Sequence, residues 1–388
     1  MKKLLRVSFD IFISSLTPII SWFIVGIIFD KSLTNVFTLT YPFQCLMGII
    51  ISIFGVGANV CVYKDKNRNS ADNGIFYGII ISLIMFGFIL FNCENYISFM
   101  SMDKDIYIIF ARYSILQILL QTVMQLIVTK LYYLDLNKKA NVITFCFNSL
   151  NILLLTTIAL LTKNQVITAN ITLFILTLFD LLIFILNVKN IDLKLNLKNC
   201  FKYDSVSCST SVLFFIIYLF GFSNSFIYGE KYIVAITFAT LVTDIQWDVV
   251  NAVKTVAKID IVKNTFEYRN HLKNSIILNT ILILSVIFLS IIIYPIYKPD
   301  LLIVGIFIGL HILDFILMIT THIKICFLEI NYSSVKTTAN VIVAYFIRTT
   351  FSFLPTPFCT IIGQITAGIY EFIYANFTYN NLMKKSKI

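Results

Sequence analysis

Charge is scarce in this chain: Asp, Glu, Lys and Arg make up 13% of its 388 residues, about half the share of an ordinary soluble domain. Its eight cysteines (45, 61, 93, 146, 200, 208, 326 and 359) contain no C-x-x-C and lie mostly inside apolar runs. That excludes a zinc ribbon or disulfide framework and leaves them as small buried apolar residues. The three histidines form no H-x-x-x-H or H-E-x-x-H, so a zinc enzyme is not expected. No G-x-x-x-x-G-K-[ST] occurs, so no P-loop ATP motor is built in. The opening "MKKLLRVSFDIFISSLTPIISWF" lacks a small-x-small cleavage site, and its apolar run continues to Ile28. It reads as an uncleaved first span rather than a signal peptide.

What remains is apolar. The composition is 58% hydrophobic and the mean hydropathy is +0.87, against the roughly 45–50% apolar content of soluble chains. Apolar stretches of about 18–28 residues, each able to cross a hydrocarbon core of about 30 Å, alternate with clumps of charge. The fold class is therefore an all-α polytopic membrane protein; a β-barrel would show segments near ten residues with period-two alternation. Twelve spans are expected, at about 8–29, 36–62, 75–92, 106–132, 141–162, 166–187, 208–228, 232–253, 274–296, 301–323, 338–354 and 358–380. With a cytoplasmic N-terminus, only Lys31, Lys104, Arg112, Lys163, Lys231, Lys298 and Arg348 of the 30 basic residues fall on the outer side, and the other 23 on the inner. This positive-inside bias sets both termini in the cytoplasm. The formal charge of +10 then reflects topology and anionic lipid, with no nucleic acid partner.

One phrase occurs twice. "KLYYLDLN" (130–137) and "KICFLEIN" (324–331) share a basic residue, an aliphatic, then Leu, acid, aliphatic and Asn, at an offset of 194, half the chain length. With six spans per half, both phrases fall at the inner ends of equivalent helices, span 4 and span 10. Lys64 and Lys258 keep the same offset. The halves are thus parallel repeats related by an axis along the membrane normal: an N-terminal six-helix bundle over 1–188, a cytoplasmic basic linker over 189–207 and a C-terminal bundle over 208–388. A duplicated six-span bundle is a transporter plan, with a central cavity and alternating access.

These stretches, in this order, resemble the multidrug and toxic compound extrusion (MATE) family within the wider multidrug/oligosaccharidyl-lipid/polysaccharide exporter superfamily. "YPFQCLMGIIISIFGVGANV" (41–60) is similar to its second span, "MDKDIYIIFARYSILQI" (102–118) to its entry into span 4, and "KLYYLDLNKKANVITFCFNSLNIL" (130–153) to its span 4–5 turn with an Asn-x-x-Asn segment. "IGLHILDFILM" (308–318) is similar to an acid-bearing tenth span. The chain departs from the family in lacking an Asp in mid-span 1 and in carrying Leu155 where an acid closes the Asn-x-x-Asn segment. The resemblance therefore places an ion site in the C-terminal half, at Asp314.

Ionisable groups in mid-membrane cost at least about 2.5–3.5 kcal/mol, which makes each a functional candidate. Asp244 and Asp314 each lie about 18–20 Å along their spans, near the midplane, and Asp248 follows Asp244 on the same helix face. Such carboxylates could bind Na+ or carry H+; the bland alternative pairs Asp244 and Asp248 with Lys254 or a backbone donor. Trp247 either faces a cationic substrate through its ring or serves as an interface anchor or packing residue. Asp180 either joins Asn148 and Asn151 in an N-terminal site or hydrogen-bonds a neighbouring helix. Glu371, near Gln364 and Tyr370, sits at similar depth. Gln117, Gln121 and Gln125 form a stripe that suits a helix contact. Residues 250–273 read as an amphipathic stretch on the inner leaflet. Apart from Lys130 at the inner end of span 4, the basic residues within spans, Arg112 and Arg348, lie near outer ends, so the chamber is expected to be acidic.

The expectation is a monomeric, cation-coupled (sodium or proton) antiporter in the cell membrane of a bacterium, since low Gly with abundant Ile, Asn and Lys fits an AT-rich genome. It would export small organic, cationic amphipathic compounds, need no cofactor beyond its coupling ion, and perform no enzymatic chemistry. The alternative is a flippase for a lipid-linked saccharide or other lipid, whose cavity should be cationic.

Overall fold

The computed structural model describes residues 2–100 and 102–385; within its helices the side chains of 2, 15, 222, 225, 226, 230, 240, 241, 244–249, 282, 285, 286, 296, 297 and 385 lie outside the described set. Every described regular element is helical: α1 (Lys2–Ile28), α2 (Val36–Ile50), α3 (Ala58–Lys64), α4 (Ser70–Phe91), α5 (Cys93–Phe99), α6 (Lys104–Tyr133), α7 (Asn137–Thr162), α8 (Gln165–Asn187), α9 (Leu197–Tyr203), α10 (Ser205–Phe226), α11 (Glu230–Val262), α12 (Tyr268–Tyr297), α13 (Leu301–Asn331), α14 (Ser334–Ser352) and α15 (Cys359–Lys385). A π-helical turn over Ile51–Gly57 joins α2 to α3 without a break. Counting that run once and setting aside the short α5 and α9, the chain has twelve long helical passages, as its hydropathy predicts. Among the described residues seven of them are long and apolar enough to cross a membrane, or eight if the bent pair Leu197–Tyr203 and Ser205–Gly221 is one span. In lipid a helix is the one open-ended element that satisfies its own backbone hydrogen bonds, and the long apolar runs obey that constraint.

The chain divides into two compact units, residues 9–211 and residues 1–8 with 212–388. Corresponding helices in them begin alike. Asp103 caps α6 by accepting from Asp105 N at 2.9 Å, and Asp300 caps α13 by accepting from Leu302 N at 3.0 Å and Ile303 N at 3.2 Å. Each carboxylate satisfies backbone N–H groups that a helix start leaves open.

The twice-written phrase marks an anchor in each unit. Lys130 Nζ, at the end of α6, donates to Asp72 Oδ1 in the first turn of α4 and to the carbonyl of Asn187 at the end of α8, the latter at 2.8 Å. Lys324 Nζ, on α13, donates to Asn376 Oδ1 of α15 at 2.5 Å, with the rings of Tyr268 at the start of α12 and Tyr379 of α15 at 5.4 and 5.5 Å. The same residue thus ties the equivalents of helices three and six in each half. The N-terminal copy does so by ion pairing, the C-terminal copy by an amide and cation–π contacts. The acid of the phrase has also diverged. Asp135 sits in a left-handed turn at φ 59°, whereas Glu329 remains in the helix and pairs with Lys258 at 2.9 Å, both buried.

Residues 189–204 pack against the first unit. Asp192 accepts from Asn69 Nδ2 at 3.0 Å and from Asn73 Nδ2, while Asn73 Oδ1 accepts from Asp192 N at 3.0 Å. A β-carbon at Gly57 would lie 2.1 Å from Cys200 O, so α9 can rest on the π-helical turn only because residue 57 is glycine. Tyr203 and Asn199 close the contact through Asp65, at 2.9 and 2.8 Å.

The stretch 250–273 is not a separate helix lying on the leaflet. Its first half continues α11 to Val262, with Ala252, Val256, Ala257 and Ile259 buried, and its end begins α12. Some of the charges that suggested a polar face have partners: Lys258 pairs with Glu329, and Asp260 with Lys3 at 2.9 Å and His271 at 3.3 Å. Burial would push the Asp260 carboxyl up, but hydrogen bonds from His271 and Lys3 outweigh it and hold the group below the usual range.

Lys130→Met leaves the Asp72 carboxylate buried without its ammonium and should cost about 3 kcal/mol or more, whereas Lys324→Met orphans no charge and should cost about 1 kcal/mol. Melting temperatures of the two purified variants in detergent check this order; equal losses would mean the anchors are energetically alike. Hydrogen bonds from Asn69, Asn73 and the Lys194 amide pull the Asp192 carboxyl down from 3.8 to about 2. A depressed folded value means the linker contact is fully present above the ordinary carboxylate range and lost only as pH falls through about 2. Trypsin cleavage after Lys194 and Lys198 should therefore be slow at neutral pH and accelerate in Asp192→Asn.

Candidate functional site

The C-terminal unit gathers its polar side chains where α13, α14 and α15 meet. On α15, Gln364, Gly368 and Glu371 recur at helical spacing on one face. A β-carbon at Gly368 would stand 2.9 Å from Asp314 Oδ1, and one at Gly363 would stand 2.6 Å from Arg348 O, so two glycines let α13 and α14 approach. Asp314, on α13, is 1% exposed. Its Oδ2 accepts from Gln364 Nε2 at 2.5 Å, and Gln364 Oε1 accepts from Arg348 Nη2 at 2.7 Å. Arg348, on α14, is 1% exposed and lies over the Phe214 ring at 4.3 Å. Glu371 is buried within electrostatic range of Lys254, Asp314 and Arg348.

This geometry revises the expected electrostatics. Arg348, expected near an outer end and apart from the acids, is joined to Asp314 through one amide. The expectation that the chamber's fixed charges are all acidic does not hold in this unit. The depth changes too. Asp314 lies about 20 Å from the start of α13, but its partners lie about 6 Å from the end of α14 and about 7.5 Å from the start of α15. The cluster therefore sits roughly one turn below the connection over 353–358, on helices that begin and end at different heights.

Several buried polar atoms here have no hydrogen-bond partner among the described residues: Asp314 Oδ1, Glu371 Oε2, Arg348 Nε and Arg348 Nη1. Buried polar groups are ordinarily satisfied by protein, water or a ligand, so these four atoms on three adjoining helices have hydrogen-bonding capacity open to water, an ion or a ligand. Asp244, Trp247 and Asp248 lie on α11, but their side chains are outside the described residues.

The N-terminal unit holds a separate polar set. Asn151 Oδ1 accepts from Tyr113 Oη at 2.7 Å, and Asn148 Nδ2 donates to Thr144 O at 2.8 Å and to Ser14 Oγ at 3.4 Å. Asp180 is buried, but neither of its carboxylate oxygens has a partner among the described residues, so it bonds neither the asparagines nor a neighbouring helix. Gln125 Nε2 reaches Ser14 Oγ at 3.4 Å, which makes the end of the glutamine stripe a contact to α1.

Sequence reading passed over Asp10. It is 1% exposed on α1 and accepts from Tyr132 Oη and from Asn141 Nδ2 at 2.8 Å. The available signal was the spacing of Asp10, Ser14, Thr17 and Ser21, a polar stripe down one face of an otherwise apolar helix, all buried. Arg348 carried a signal as well, an arginine inside an apolar run.

No protein-family profile and no characterised protein matches the chain by sequence. Solved structures do match. A MOP superfamily transporter from Pyrococcus furiosus Vc1 (DSM3638), described as having a binding pocket of reverse polarity that suggests a different function, superposes with a TM-score of 0.71 at 16% identity, over 98% of this chain and 96% of its own. A MATE structure in the bent conformation gives 0.68 at 17% identity, over 100% and 97%. The outward-facing conformation of a multidrug resistance MATE family transporter gives 0.66 at 18%, over 99% and 96%. Apolar helices and whole-length likeness together make this a multi-pass membrane protein, and its fold is that of the MATE transporters of the MOP superfamily.

Proposed function

We propose that this chain is a cation-coupled secondary transporter, an antiporter that exports small organic compounds by alternating access across the cell membrane. The observation that carries the reading is the pair of buried carboxylates, Asp314 and Glu371, each with an unpartnered oxygen and within electrostatic range of one another, in a fold whose solved members are described as transporters. In this reading a proton or Na+ occupies Asp314, with Glu371 beside it. Loading of substrate displaces the ion, and its return down a gradient drives export. Asp244, Asp248 and Trp247 on α11 would extend the same site, while Asn148, Asn151 and Asp180 would line the N-terminal unit. The chain works as a monomer with both termini in the cytoplasm and carries out no covalent chemistry.

A flippase for a lipid-linked saccharide needs a cavity of strongly cationic character to hold pyrophosphate. One arginine among two carboxylates does not provide that, so the antiporter reading stands first.

Asp314→Asn keeps the size and the hydrogen bond to Gln364 while removing the ionisable group. In inverted vesicles energised by a proton or a sodium gradient, it should abolish gradient-driven uptake of a rhodamine dye without lowering the melting temperature of the purified protein. Uptake at the wild-type rate would refute the assignment of coupling to Asp314. Collapsing each gradient separately in wild-type vesicles identifies the ion.

A further inference from the structure

Most of Arg348's hydrogen-bonding capacity is idle. A guanidinium offers five N–H donors and remains charged at any physiological pH. Here Nη2 serves Gln364 Oε1 at 2.7 Å and reaches Tyr218 Oη at 3.4 Å, but Nε and Nη1 are buried with no acceptor. The group is held by rings: Phe214 at 4.3 Å, Tyr218 at 5.6 Å and Tyr345 at 5.9 Å from its central carbon. Among the described residues no carboxylate forms an ion pair with it.

A site built only for neutrality would set Arg348 directly on Asp314, because guanidinium and carboxylate interlock through two parallel hydrogen bonds. An amide is interposed instead. Gln364 turns its NH2 to Asp314 and its carbonyl to Arg348, so each charge is partly satisfied and the two are kept apart. Asp314 Oδ1 and Glu371 Oε2 are left without donors, and Arg348 Nε and Nη1 without acceptors. Opposite charges with spare valence, fixed by rings and by close-packed glycines, complement a ligand that carries both signs itself.

We propose that the C-terminal unit binds an amphoteric organic compound. Its acidic group, a carboxylate or phosphate, sits on Arg348. Its cationic group takes the place of the coupling ion at Asp314 and Glu371. Gln364 is the positioning residue that keeps the two poles separate. The inference rests on the transporter reading and replaces a purely cationic substrate with a zwitterionic one. A free solute and a zwitterionic phospholipid headgroup share this chemistry.

Binding of two matched probes tests it. Rhodamine B carries a carboxylate and a cationic ring system, and its ethyl ester keeps the ring system without the acid. Fluorescence anisotropy of each with the full-length chain in phosphatidylglycerol nanodiscs, corrected with empty discs, should show rhodamine B bound at least about tenfold tighter, the value of one charge-assisted hydrogen bond. Arg348→Gln should bring the ratio close to one. If that variant does not fold, Gln364→Glu carries the test. It leaves the arginine in place but offers it a carboxylate partner, and should reduce rhodamine B affinity by about tenfold as well. Equal affinity of the wild type for the two probes, preference for the ester, binding of neither, or a Gln364→Glu chain that keeps the full preference overturns the proposal. No gradient is involved, so this result is independent of whether Asp314→Asn stops transport. Adding phosphatidylethanolamine to the discs separates the sources: displacement of rhodamine B makes the occupant a lipid headgroup, and undiminished binding makes it a free solute.

Discussion

An ammonium group withdrawn from water must be met by acceptors or by electron-rich faces, because leaving it bare costs more than most single contacts return. In this chain that requirement falls on several lysines, Lys258 with its Glu329 among them, and at equivalent positions it falls on one lysine per half. Lys130 and Lys324 stand at the same register of α6 and α13, and each draws in the helices that flank its own at the same end of the bundle. The polar clusters deeper in each unit depend on those helices being held at fixed depth. α15 in particular carries the tie to Lys324 at Asn376 and, between about one and three turns earlier, the face that presents Glu371 and Gln364.

Within the C-terminal unit the same α15 solves a second problem. Three ionisable groups on three helices share a small volume, and direct pairing would have silenced two of them. The amide of Gln364 transmits a hydrogen bond between arginine and aspartate without letting them meet. Glycines at 363 and 368 make the approach possible, since a methyl group at either would press on Arg348 O or Asp314 Oδ1. The buried atoms left without partners accompany this spacing, and buried donors and acceptors of that kind call for a partner from water, an ion or a ligand.

Much of the fold was legible because it obeys coarse rules. Twelve apolar runs became twelve helical passages, and the repeated phrase located the two anchor lysines before any contact was known. The candidate site was legible only in part. Asp314 and Glu371 announced themselves as acids in apolar runs, and both lie in the cluster. Arg348 lies near the outer end of its helix as expected, but Asp314 was set apart from it because depth was counted along each helix from its own end. α13 begins about 20 Å before Asp314, whereas α14 ends about 6 Å after Arg348, and no reading of one strand of text supplies the offset between neighbouring helices. The stretch 250–273 was misread for a related reason. Its charges look solvated until Glu329 and Lys3, distant in sequence, and its own His271 are brought beside them. Asp10 was missed because it lies about two turns into the first helix, near the start of its span, and only mid-span acids were weighed as candidates.

The two lysine anchors are equivalent in place but not in electrical character. Lys130 is neutralised by Asp72, so that corner of the N-terminal unit carries no net charge. Lys324 rests on an amide oxygen and two phenol rings, none of which carries a formal charge, and its full positive charge survives. A bilayer at resting voltage acts on whole charges, at about 2.3 kcal/mol for each one carried across 100 mV. These two corners of the duplicated chain, alike in outline, are therefore unlike as electrical objects: a field that acts on the second as a whole charge meets a neutral pair at the first.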